Sequence, residues 1–125
     1  MIAGIGLDLV RVDRMRRFHQ RWGQRGLARV FTARELDYCL GHVDPASSLA
    51  ARFAAKEAFF KAVGTGWGVG GALVEVEVRR GATGDPDLAV RGRAAETLAR
   101  NGARHVHVTL THTADTAAAV VILER

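Results

Sequence analysis

The sequence predicts a single compact α+β domain spanning residues 1–125, with an antiparallel sheet packed against one long helix. Three observations predict it. Strand-like patterns stand at both ends of the chain, over residues 2–10 and again over 105–111 and 117–123. An alanine-rich helical run occupies the middle, and no linker, internal repeat or low-complexity stretch divides the chain. At 125 residues the chain is long enough to bury one core without disulfides and short enough for a site to be completed by a second subunit.

Residues 2–10 alternate as a strand, with Ile5, Leu7 and Leu9 on one face and Gly4, Gly6 and Asp8 on the other. Glycine weakens a strand, so two glycines beside a carboxylate predict close approach by a ligand or another backbone. Asp13 then caps a helix whose apolar stripe is Val12, Met15, Phe18 or His19, and Trp22. Thr32-Ala33-Arg34-Glu35 is a capping box that opens a short helix through Leu36, Cys39 and Leu40, ended by Gly41. Asp44-Pro45 supplies an N-cap and first-turn proline for a helix of about five turns that stops at Gly64. Its six alanines, from Ala50 to Ala62, keep it slim, with Phe53 and Phe60 as anchors.

Residues 73–79 alternate as a strand with Val74, Val76 and Val78 inward, and Gly81, Gly84, Asp85 and Pro86 turn it back into a second strand at 88–90. Residues 91–101 form a modest helix with Ala95, Leu98 and Ala99 inward and Gly102 as its stop. Segments 105–111 and 117–123 close the fold as an antiparallel pair. The last segment is almost wholly apolar, which predicts a central strand.

The formal charge of +5 is unevenly placed, with seven arginines between Arg11 and Arg29. Such a surface attracts an acidic partner. Aromatics for base stacking are scarce there and no RNA-binding signature is present, so nucleic acid is not the expected partner. A solvated arginine face that aids solubility is the plain alternative. Cys39 is the only cysteine, which rules out an intramolecular disulfide and a cysteine-based zinc site and fits a cytoplasmic setting. No secretory leader pattern and no run of about 20 apolar residues is present, so a membrane association is not expected.

Glu57 and Lys61 lie four residues apart on one helical face, a spacing that also describes an ordinary helix-stabilising pair. Gly64-Thr65-Gly66 follows at once and offers backbone N–H groups and a hydroxyl to phosphate oxygens, although glycines also simply end helices. It is not a P-loop, because the lysine precedes the glycines. Asp8 is the second carboxylate, unless it serves only as a turn former. Two carboxylates suffice for Mg²⁺ on a polyphosphate, whose remaining ligands are water and phosphate oxygens. Zinc on His105, His107 and His112 is refused: alternation puts His112 opposite the other two unless the strand ends or bulges before it, and no cysteine or carboxylate completes the shell. His105 reads as a surface residue, while His107 fits a structural or a functional role. Ser47 and Ser48, the only serines, start a helix and form no nucleophile elbow.

The segments Gly4-Ile5-Gly6-Leu7-Asp8, Val30-Phe31-Thr32 through Glu35-Leu36, Arg52 through Gly66, His107 through His112-Thr113 and the alanine-rich final strand resemble the holo-acyl-carrier-protein synthase group of 4′-phosphopantetheinyl transferases. The resemblance covers nearly the whole chain, and its central block is highly specific. It implies the fold of that family and transfer of 4′-phosphopantetheine from coenzyme A to a serine of an apo acyl carrier protein, with adenosine 3′,5′-bisphosphate released. It implies Asp8 and Glu57 as Mg²⁺ ligands, Lys61 on the pyrophosphate, and Arg52, Gly64, Thr65 and His112 around the coenzyme A phosphates. It further implies a homotrimer with interfacial sites, and carrier docking on the early basic helix through Arg14, Met15, Arg17, Phe18 and Arg21. Trp67 and the density of arginines in that helix depart from the pattern. Asp8, Glu57 and Lys61 argue against the alternative of a noncatalytic nucleotide-binding subunit. The proton of the carrier serine needs a base, and Glu57, directly or through a metal-bound water, is the candidate.

Overall fold

A computed structural model describes all residues 1–125. The elements run β1 (Ile2–Arg11), α1 (Val12–Ala28), α2 (Ala33–Leu40), α3 (Pro45–Val63), a 3₁₀ turn (Leu73–Glu75), β2 (Val76–Arg80), β3 (Pro86–Val90), α4 (Gly92–Asn101), β4 (His105–His112) and β5 (Thr116–Glu124). Three strands form one antiparallel sheet in the order β1-β5-β4, and β2 and β3 form a separate hairpin. The apolar last strand is central, as its composition predicts. No helix is long and apolar enough to cross a membrane.

One helix organises the core. α3 begins with Asp44 accepting the Ala46 N–H and with Pro45 in its first turn, and ends at Gly64 in the left-handed conformation (φ 82°) that closes a helix at little steric cost. Its alanines, together with Leu49, Phe59 and Phe60, are buried against the three-stranded sheet on one side and α1, α2 and the hairpin on the others. The stripe Phe53, Glu57, Lys61 stays less covered.

The glycines of β1 explain how α3 comes so close. A β-carbon at Gly6 would fall on the Ala58 carbonyl oxygen, and one at Gly4 on that of Ala62. Of the two expected reasons for these glycines, the approach of another backbone is the one found. Ile5, Leu7 and Leu9 line the opposite face and are 60%, 55% and 66% exposed, so the sheet leaves an apolar face open.

Four expectations shift. Asp13 lies within the first turn of α1 instead of capping it, the N-cap being Arg11 with no side-chain cap bond. Trp22 is exposed and not part of the core; it ends the first segment of α1, immediately before the kink at Gly23 (φ 62°, ψ −160°). Residues 73–75 form a 3₁₀ turn, not the start of a strand. The Leu73 carbonyl accepts from Lys56 Nζ at 3.2 Å, while the Glu75 carboxylate accepts the Ala72, Arg93 and Ala94 N–H groups. Glu75 thereby serves the start of α4 from outside, since Arg91 provides no side-chain cap. α4 is also rotated from the expected phase, burying Ala94 and Thr97, and the Thr97 hydroxyl donates to the Gly70 carbonyl at 2.6 Å.

An ion pair lies inside this core. Lys56, fully buried, donates to Glu35 Oε1 at 2.7 Å and to the carbonyls of Leu73 and Val76. Glu35 is buried too and accepts the Thr32 and Val78 N–H groups, so the capping box of α2 is tied through α3 to β2. Burial pulls the Lys56 pKa down and Glu35 offsets part of that.

Candidate active site

β1 and α3 carry the chemistry because their close packing brings one carboxylate from each to the same edge. Lys61 Nζ donates to Asp8 Oδ1 at 3.0 Å and to the Leu7 carbonyl at 3.0 Å. Asp8 is mostly covered while Lys61 is half exposed. Glu57, one turn before Lys61, is held above the ordinary carboxylate range by burial and then by the negative charge of Asp8; Trp67, Lys61 and Arg14 act in the opposite direction. Two neighbouring carboxylates of which one is disfavoured as an anion invite a cation. No cluster of three His, Cys, Asp or Glu residues exists, so a structural zinc finds no shell and the donor set is two carboxylates. That set suits a hard cation that keeps water and substrate oxygens as its other ligands.

Gly64 and Thr65 border this edge, but their amides are engaged. The Gly64 N–H donates to the Phe60 and Lys61 carbonyls and the Thr65 N–H to Phe60, completing the helix end, while the Thr65 hydroxyl donates to the Gly66 carbonyl at 3.0 Å. The free phosphate-binding amides read from the sequence at these two positions are therefore occupied by helix closure.

Arg52 and His112 sit elsewhere. Five residues separate Arg52 from Glu57, about 140° around a helix, and His112 lies on β4, with β5 between it and β1. The two meet instead in a cavity of about 510 Å³ lined also by Tyr38, His42, Asp44, Ser47, Ser48 and Arg80. One chain thus carries two separate groups of the sequence-derived phosphate residues. The other two histidines of the His105–His112 segment stay out of both: His105 is exposed, and His107 Nε2 pairs with Glu124 Oε1 at 3.0 Å, a structural contact across the sheet.

The five residues read as a docking face do converge. Arg14, Met15, Arg17, Phe18 and Arg21 line one groove of about 720 Å³ together with Phe53, Phe31, Trp67 and Leu73. Arg14 stacks over Phe53 at 5.8 Å and Arg21 over Trp22 at 5.0 Å. Arg17 pairs with Asp13, and Arg16, on another side of the helix, pairs with Asp44 at 2.7 Å. Trp67 joins the groove to the metal-type edge, since it lines the former and interacts with Glu57 at the latter. Sequence reasoning passed over Tyr38 and Arg80 in the cavity and the buried Lys56–Glu35 pair; Lys56, adjoining Glu57 in an apolar stretch, was the available signal for the pair.

A mainly antiparallel α+β fold with an acidic–basic edge between β1 and one long helix fits a phosphoryl-group-transfer type of protein, and comparison with known proteins places it. Residues 4–121 match the model of the 4′-phosphopantetheinyl transferase superfamily, and the chain belongs to that family. Its relatives there include the holo-[acyl-carrier-protein] synthases of Syntrophus aciditrophicus, 44% identical over 99% of this chain and 97% of that one, and of an Anaeromyxobacter species, 48% identical over the same shares. Among solved structures, the holo-[acyl-carrier-protein] synthase of Neisseria meningitidis superposes with a TM-score of 0.90 at 34% identity, covering all of both chains. The Bacillus anthracis enzyme in complex with CoA (3′,5′-ADP) does so with a TM-score of 0.81 at 32% identity, over 99% of this chain and 97% of that one.

Proposed function

We propose that this protein transfers 4′-phosphopantetheine from coenzyme A to a serine hydroxyl of an apo acyl carrier protein and releases adenosine 3′,5′-bisphosphate. The observation that carries the reading is the Asp8, Glu57, Lys61 edge opening beside a groove lined by Arg14, Arg17 and Arg21. Relatives named for this activity over the full chain length support it.

Asp8 and Glu57 would hold Mg²⁺, which supplies charge neutralisation on the pyrophosphate when bound. Lys61 places its ammonium on the same phosphate oxygens; its present acceptors, Asp8 and the Leu7 carbonyl, aim it at that edge. The carrier serine oxygen bonds to the phosphorus that bears pantetheine, the bond from that phosphorus to the bridging oxygen breaks, and the bisphosphate leaves with the electron pair. Glu57 takes the serine proton directly or through one bridging water. Positioning and electrostatics do most of this chemistry.

The site is completed between subunits of a homotrimer. Two observations support this assembly: the phosphate residues form two groups on different faces of α3, and Ile5, Leu7 and Leu9 leave an apolar sheet face uncovered. The lone, buried Cys39 fits a reducing cytoplasmic setting.

The test is incubation with coenzyme A, Mg²⁺ and an apo acyl carrier protein, read as a mass gain of one phosphopantetheine on the carrier. EDTA should stop the gain and added Mg²⁺ restore it. Asp8→Ala and Glu57→Ala should each abolish transfer while circular dichroism stays native; full activity in either removes the metal assignment.

A further inference from the structure

Of the two carboxylates at the edge, Glu57 is the one that cationic side chains do not hold. Lys61, one turn along α3, is engaged by Asp8 and the Leu7 carbonyl. Glu57 enters none of the chain's ion pairs. A glutamate side chain free to rotate loses that freedom when it ligates a cation, which weakens binding. The group that reaches Glu57 is Trp67. Burial and then Asp8 disfavour the Glu57 anion, and the indole opposes them more than Lys61 or Arg14 does. An indole N–H is a donor only, so its contact with the carboxylate is a hydrogen bond that it donates.

Trp67 is kept in place from outside the site. It stands between Gly66 (φ 69°) and Gly68 (φ 92°), in a loop whose Gly68 N–H donates to the Gly71 carbonyl at 2.7 Å. α4 fastens the far end of this loop. The buried Thr97 hydroxyl donates to the Gly70 carbonyl at 2.6 Å, and a β-carbon at Gly71 would fall 2.7 Å from the Ala94 nitrogen. Glu75 accepts from Ala72 on the loop and from Arg93 and Ala94 on α4. The indole is 55% exposed and lines both the groove of Arg14, Arg17 and Arg21 and a wider groove beside it, so its position comes from the tied backbone and not from burial of the ring.

We propose that Trp67 is a positioning residue of the transfer site: anchored through α4, its indole N–H aims the Glu57 carboxylate at the space shared with Asp8 and raises the affinity of that edge for a divalent cation. This rests on the reading above in which Asp8 and Glu57 hold Mg²⁺. A hydrogen-bond partner of a metal ligand acts by fixing the ligand's orientation before the ion arrives, and its loss lowers metal affinity by about 10- to 100-fold. Thr97 and Glu75 act one step further out. They touch neither carboxylate, and they hold the loop from which Trp67 reaches Glu57.

Binding of Mn²⁺ to the full chain with coenzyme A present, read as loss of the free-ion EPR signal, tests this in the parent and in its Trp67→Phe, Thr97→Val and Thr97→Ser variants. Trp67→Phe keeps a ring and removes the donor. It should weaken Mn²⁺ by about 10-fold, and in the transfer assay it should raise the Mg²⁺ activation constant by the same factor, with kcat regained as Mg²⁺ is raised and the KM for coenzyme A nearly held. Thr97→Val should move in the same direction by less, and Thr97→Ser should bind as the parent does. Parental Mn²⁺ affinity in Trp67→Phe overturns the proposal, as does a kcat loss that no Mg²⁺ concentration restores. Parental affinity in Thr97→Val overturns the anchoring through α4. The binding measurement separates this from the transfer reading. If no carrier is modified, yet Mn²⁺ binding depends on Asp8 and is weakened in Trp67→Phe, the transfer reading fails and the positioning role stands. A parent protein that binds no Mn²⁺ overturns the proposal together with the metal assignment. Thermal melting confirms that each variant is folded, and Trp67, more than half exposed, can be replaced without opening the core.

Discussion

Lys56 and Lys61 lie five residues apart on α3, and their surroundings give them different work. Lys61 reaches Asp8 at the rim, where solvent screens the pair and leaves the ammonium available to a phosphate. Lys56 is sealed, and its three acceptors join α2, α3 and β2. Removing one member of such a pair strands the other charge in the core. Lys56→Met should therefore cost about 3 to 5 kcal/mol, and Glu35→Gln in the same background should return part of it. Urea unfolding of the single and double variants reads both values. Additive losses would mean that the two residues are not coupled in the folded state. The rim pair should behave otherwise: Lys61→Ala should leave the unfolding free energy within about 1 kcal/mol while transfer is lost.

Among the elements, the contact of β1 with α3 decides whether a site exists. Gly6 has no room for a methyl group, because the Ala58 carbonyl occupies that place, and relief would require the two backbones to separate. Gly6→Ala should cost about 3 kcal/mol or more, and should lower activity beyond the loss of folded protein, since Asp8 sits two residues further along the same strand. Gly81→Ala, on the hairpin turn where the nearest oxygen is 3.6 Å away, is the control and should be near neutral. Equal melting temperatures for the two variants would refute the packing explanation. α1 shows the opposite use of glycine: Gly23 breaks the helix in solvent and leaves Arg14, Arg17 and Arg21 on the segment before the kink.

On the scale of the whole molecule, docking and chemistry are separable. Reversing Arg14 and Arg21 to Glu should raise the KM for the carrier by the equivalent of about 1 to 3 kcal/mol and flatten its salt dependence, with coenzyme A binding nearly unchanged. Unchanged carrier kinetics would return α1 to a solvated basic face, while an equal loss of coenzyme A affinity would place these arginines in the nucleotide site. The trimer makes a second demand. Light scattering should give three chains per particle, and mixing inactive Asp8→Ala with inactive His112→Ala should recover part of the activity, because some interfaces then pair an intact Asp8 with an intact His112. An active monomer at assay concentration would remove the shared site.

The sequence by itself determined most of the elements and the shared helical face of Glu57 and Lys61. Capping residues such as Thr32, Asp44 and Gly64, strand alternation and the Glu57–Lys61 spacing are local, so they survive without knowledge of the rest of the chain. What only the tertiary structure decided depends on contacts between distant segments. Whether Gly4 and Gly6 faced a ligand or a backbone was settled by α3, and the burial of Glu35 by Lys56, twenty-one residues away. The 3₁₀ turn at Leu73–Glu75 replaced an alternating strand because Lys56 and the start of α4 claimed its carbonyls and carboxylate. Arg52 and His112 were identified by resemblance, yet only folding placed them in a cavity apart from Glu57 and put Arg80 beside them on Tyr38. Local patterns fix conformation over a few turns, whereas the partners of a buried charge come from whichever segments the core brings together.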